Sequence, residues 1–185
     1  MKISDILYFA PNIPFSQVDL TGDRLPQQYA ERVEGYYLAP AEVLVDGGHG
    51  FAAGLLVVTA IDALARVSRV EPGVGERIKA WLSTEVTGLY KPQHVDALYR
   101  RVRNGLVHEA RLKNGTEFSL DQESLVYEED GILAFNPRLL LGEVRDALDR
   151  SRRQLENDTR ARQAFLESVK AEFAYELRDI TGRSA

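Results

Sequence analysis

There is no cysteine in this chain, and it has only one methionine, one tryptophan and three histidines. The first absence excludes a disulfide framework and a thiolate zinc site, and it points to a reducing compartment. The histidines, His49, His94 and His108, stand at no metal-ligand spacing from one another, so neither zinc nor non-haem iron is expected. Asp46-Gly47-Gly48-His49-Gly50 lacks the lysine and the spacing of a phosphate loop, and no cofactor is expected. The opening Met1-Lys2-Ile3-Ser4-Asp5 has no long apolar core of a signal peptide, and no later stretch reads as the roughly 18 apolar residues that span a bilayer. The expectation is a cytoplasmic protein with no membrane contact.

What is there is an ordinary globular mixture: 185 residues, 44% apolar and 28% charged, enough for one domain with its own core. A net charge of −5 argues against coating nucleic acid, because that binding draws on lysine and arginine neutralising phosphates. The charge is uneven, however. Across residues 97–113 five cations (Arg100, Arg101, Arg103, Arg111, Lys113) face the single anion Glu109, which suggests a local anion site.

Along the chain, three prolines around the apolar run 6–9 predict an irregular arm over residues 1–26 with at most a short strand. A single helical domain is expected over 27–185. Helical spacing runs from 27 to 45, kinked or split at Pro40; the glycines at 47, 48 and 50 make a flexible joint; and residues 51–70 form an apolar helix whose one acidic residue is Asp62. A shorter helix carries Ile78, Trp81, Leu82 and Val86. Pro92 opens the next one, which is expected to end near Asn114-Gly115. Asp130-Gly131 between apolar runs predicts a β hairpin at about 116–135. Asn136-Pro137 starts a further helix, broken near Asn157-Asp158, and Phe165, Val169, Phe173 and Leu177 form one stripe of the last. The fold class is therefore mainly α with a small β hairpin after the basic helix.

At about 100° per residue, Val95, Leu98, Tyr99, Val102, Leu106 and Ala110 fall on one side of that helix. Arg100, Asn104, His108 and Arg111 fall on the other, with Arg101 and Arg103 at its margins. Such a face is either solvated surface or a site. An imidazole exchanges protons near neutrality, which suits acid–base work. The apolar helix 51–70 has more greasy surface than one side of a small bundle covers, which predicts a homodimer.

The string Arg103-Asn104-Gly105-Leu106-Val107-His108, on a basic helix that follows an apolar helix with an acidic residue, resembles the active-site signature of the HEPN family. The likeness covers about residues 50–113. It implies an antiparallel helical bundle that pairs about a two-fold axis, with Arg103, Asn104 and His108 as catalytic residues and Asp62 supporting them. Arg100, Arg101 and Arg111 would meet the substrate. The implied activity is metal-independent endoribonuclease action on RNA by 2′-hydroxyl transesterification, in a setting such as defence or toxin–antitoxin pairing. The other reading is an inactive dimeric interaction module that binds a regulatory partner protein. A subset of the family carries tyrosine two residues after the histidine, where this chain has Ala110.

Overall fold

Apolar residues at helical spacing dominate the middle of the chain, and the protein is mainly helical with two small sheets. A computed structural model describes residues 1–68 and 73–181, in two compact units. One unit is residues Tyr37–Ala147; the other joins Met1–Tyr36 to the chain from Leu148 onward.

The 37–147 unit carries the motif. Its centre is α3 (Gly50–Ser68), which buries Ala53, Val57, Val58, Ile61, Leu64 and Ala65 against α2 (Ala39–Asp46) and α4 (Val74–Glu85). Pro40 sits in the first turn of α2, directly after a wide, π-type turn at Glu34–Leu38, so the helical path over the predicted segment changes its winding just before this proline but is not split there. The helix from Gly50 ends its described part at Ser68; the expected continuation to Val70 and the break at Glu71-Pro72 lie outside the described residues.

Contrary to the reading of the bare sequence, α3 is long and apolar enough to cross a membrane by length and composition, with a mean hydropathy of 1.7. An 18-residue span tolerates interior glycine, threonine and one acid without losing its apolar average. Half of that window is buried inside the protein, and Asp62 within it is ion-paired, as befits a core helix.

The predicted hairpin is β5 (Val126–Glu129) with β6 (Ile132–Phe135), paired antiparallel. Asp130 and Gly131 both have positive φ, 50° and 78°, the geometry a two-residue turn needs to follow strand twist. A third strand, β4 (Thr116–Phe118), lies parallel to β6, giving the order β4-β6-β5. Asn136 then caps α7 (Pro137–Asn157) by accepting from the Arg138 N–H at 2.9 Å.

In the other unit the arm predicted as irregular is a three-stranded antiparallel sheet: β1 (Lys2–Ile3), β2 (Ile6–Ala10) and β3 (Ile13–Pro14). Proline ends β3 instead of disrupting it, since a strand end needs no N–H there. Phe9, Phe15, Tyr29 and Phe165 are buried among α1 (Leu25–Val33) and α8 (Thr159–Glu172), and Arg32 lies over the rings of Phe9, Tyr36 and Phe173. The last helix expected as one piece breaks at Phe173, before α9 (Ala174–Thr181).

Candidate functional site

Pro92 supplies the fixed φ of a first helical turn, and one helical path then runs from Pro92 to Glu109 in three parts. These are α5 (Pro92–Ala97), a π-type stretch at Leu98–Arg103, and α6 (Asn104–Glu109). A π turn takes more residues than the 3.6 of an α-helix, so faces counted at 100° drift across it. The consequence falls on Arg103. Counting places it at the edge of the polar face, but its side chain is only 15% exposed and points at α3.

The helix also stops earlier than expected, at Glu109 instead of near Asn114-Gly115. Ala110 adopts the left-handed region at φ 53°, and Arg111 N–H donates to the Gly105 carbonyl at 3.3 Å. The returning chain packs directly on Gly105, where a Cβ would collide with the Arg111 carbonyl oxygen. Lys113 N–H then donates to the Arg101 carbonyl, 3.1 Å, inside the π stretch. Ala110 and Arg111 therefore do not belong to either helix face: they lie beyond its end.

Arg103 and Asp62 make a two-point pair. The Arg103 Nε donates to Asp62 Oδ2 at 3.0 Å and Nη2 donates to the same oxygen at 2.6 Å; a longer Nε contact to Oδ1 is 3.3 Å. Asp62 is 23% exposed, so the pair is largely shielded from water, where charge-assisted bonds are stronger. Arg103 Nη1 donates to Asn104 Oδ1 at 3.1 Å. A guanidinium has five N–H donors, so these contacts leave donors for an incoming anion. Asn104 is half-buried, and His108, four residues on, is exposed. The acid of α3 thus sets the arginine of the motif helix, and an open imidazole stands on the following turn.

The other cations expected to meet a substrate have partners within the protein. Arg100 Nε is 2.8 Å from Asp96, Arg101 Nη1 donates to the Asn114 carbonyl at 3.3 Å, and Arg111 is 2.8 Å from Glu109. Glu109 also pairs with Lys113. Hydrogen bonding from Lys113, and less from Arg111, holds the Glu109 carboxyl below its usual range. The local positive excess is thus largely matched by Asp96, Asp62 and Glu109. The spacing Asp96/Arg100, four residues apart on one helix, carries this signal in the sequence; Glu109 meets Lys113 only because the chain turns back beyond the helix end, and neither that contact nor the role of Gly105 has a sequence signal.

Among the described residues, no group of three or more histidine, aspartate or glutamate side chains is placed to hold a metal ion. No protein-family profile, curated protein or solved structure matches the chain.

Proposed function

We propose that this chain is a HEPN-like endoribonuclease that cleaves RNA by metal-independent transesterification, in the cytoplasm, with two copies pairing so that their motif helices share one cleft. The observation that carries the reading is the Asp62–Arg103–Asn104 chain of hydrogen bonds beside an exposed His108. His108 takes the proton from a ribose 2′-hydroxyl, the 2′-oxygen attacks phosphorus, and the bond from phosphorus to the 5′-oxygen breaks. The partner's His108 returns a proton to that 5′-oxygen, leaving a 2′,3′-cyclic phosphate. Arg103, aimed by Asp62, meets the charge growing on the phosphoryl oxygens, and Asn104 holds the arginine or the phosphate. Without a 2′-hydroxyl there is no nucleophile, so DNA is not cut. Exposed Phe51 and Leu55 on α3 and Val107 on α6 supply apolar surface for the second copy.

A second reading rests on a separate observation: Arg100, Arg111 and Lys113 are already engaged by Asp96 and Glu109. That neutralisation favours an interaction module that keeps the bundle and binds a regulatory protein without turnover, and fold alone does not choose between the two. Single-turnover cleavage of total RNA by purified protein in excess chelator, with the ends assayed for cyclic phosphate, separates them. Cyclic ends that vanish in Arg103→Ala support the nuclease; RNA left intact by wild type at all concentrations overturns it.

A further inference from the structure

His94 lies on the same helical path as the motif but serves no part of the proposed chemistry. It is 2% exposed, and its Nδ1 is buried with no hydrogen-bond partner. The ring of Tyr90 meets it edge-on at 5.2 Å between centroids, and the Lys91 ammonium lies 5.5 Å from the Tyr90 ring. His94 is also the third residue of α5, near the positive end of the helix dipole, with its own N–H donating to the Lys91 carbonyl at 2.9 Å. The charged groups acting on it are Lys91, on its own segment, and Glu128, on β5 of the hairpin. Burial and then Lys91 push its proton affinity below the ordinary histidine value, with Glu128 opposing them.

We propose that His94 is an acid-sensitive latch on the motif helix: when it is protonated, its ring leaves the interior for the exposed surface of residues 90–93, and the helix carrying Arg103 and His108 loosens from its first turn. A charged imidazole in this place has a buried donor without an acceptor, a cation beside it and a helix start behind it, and all three relax if the ring moves out to water. The helical path is continuous from Pro92 to Glu109, so opening at its first turn removes one of its anchors and leaves the rest held by Leu98, Val102 and the Arg103–Asp62 pair. The latch is independent of whether the motif cleaves RNA.

The sign follows from linkage. Well above about pH 6.5 the unfolded and folded chains both hold His94 neutral, and stability does not depend on it. As pH falls below that value the unfolded chain takes up a proton that the folded chain refuses, so the folding constant drops. One proton sets a ceiling of about tenfold per pH unit, and the drop levels off once the folded chain also protonates.

The test compares denaturant unfolding of wild type and His94→Gln from pH 7.5 to pH 5, together with amide hydrogen exchange across residues 92–109 corrected for the intrinsic effect of pH. The wild type is expected to lose folding constant below about pH 6.5 and to lose protection along the motif helix, with both losses absent or much reduced in His94→Gln. Equal acid dependence in the two proteins overturns the latch. Loss of global stability with the motif helix still protected to the global limit overturns its placement on that helix. Should His94→Gln fail to fold, the ring signals of the wild type decide: with three imidazoles in the chain each can be followed, and a His94 midpoint at or above about 6.5 sinks the proposal.

Discussion

His94 and His108 are fourteen residues apart on one helical path, a spacing that in an unbroken α-helix brings them within about 40° of the same face. Yet one is buried to 2% exposure and the other is open to solvent. Two things separate them. The near end of the path is packed into the core through Val95, Ala97 and Leu98, whereas the far end runs out past Val107, and the π stretch between them breaks the counting of faces. Residue type and period therefore say less about a histidine's chemistry than where along its helix the packing stops.

The largest expected effect tests the contrast directly. His108→Ala should lower single-turnover RNA cleavage by about 10²- to 10⁴-fold while changing stability by no more than about 0.5 kcal/mol. His94→Ala should do the reverse, costing about 1–3 kcal/mol of stability through a buried gap and leaving cleavage per folded molecule near the wild-type rate. Chelator-treated cleavage and denaturant melts on both variants read this out. A large stability loss in His108→Ala would mean that the far end is core after all.

Next in size is Asp62→Ala, which leaves the Arg103 guanidinium without its carboxylate in a largely shielded place. Breaking a fully buried pair costs about 3–5 kcal/mol; both partners here retain some solvent, so about 1–3 kcal/mol is expected. Adding Arg103→Ala should recover part of that loss, because the stranded charge goes with it. If the double variant is less stable by the sum of the two single losses, the pair does not hold the helix to α3.

Gly105→Ala is decided by sign. In an open helix, alanine for glycine gains up to about 1 kcal/mol. Here the new methyl meets the Arg111 backbone carbonyl, and overpacking of that kind costs about 1–3 kcal/mol. A net loss of about 1 kcal/mol is expected, and a more stable variant would show that the returning chain does not close on the motif helix.

Much of this was readable beforehand because local chemistry determined it. Asp130-Gly131 selects a tight turn, Asn136-Pro137 a helix start, and the apolar run around Val57 and Leu64 a core helix, each through contacts within a few residues. Asp62 stands out in the sequence as the one acidic residue of an apolar helix, and its carboxylate accepts from Arg103 on the motif helix, as a shielded acid needs a partner. What was not readable depends on long-range packing. The π stretch at Leu98–Arg103 turns Arg103 inward, the close return over Gly105 ends the helix early, and β4 joins β6 in parallel across the intervening hairpin. None of these has a signature within one turn of chain, and the first two decide which side chains form the site.

The smallest expected effect completes the comparison with a second aspartate–arginine pair on the same helix. Asp96 and Arg100 are 2.8 Å apart at (i, i+4) spacing, with side chains 48% and 66% exposed, whereas Asp62 and Arg103 are 23% and 15% exposed. Solvent screens the exposed pair and its long side chains must be ordered to meet, so such contacts contribute about 0.3–0.5 kcal/mol. Asp96→Ala should therefore cost no more than about 0.5 kcal/mol in low salt. At 1 M salt, where the screening length is about 3 Å, the loss should disappear. Asp62→Ala should keep most of its larger loss under the same salt, because its pair is shielded by protein. Denaturant unfolding of both variants at the two salt concentrations measures the difference. Equal salt sensitivity would place Arg103 in the same wet environment as Arg100, and with it would go the argument that α3 aims the arginine of the motif.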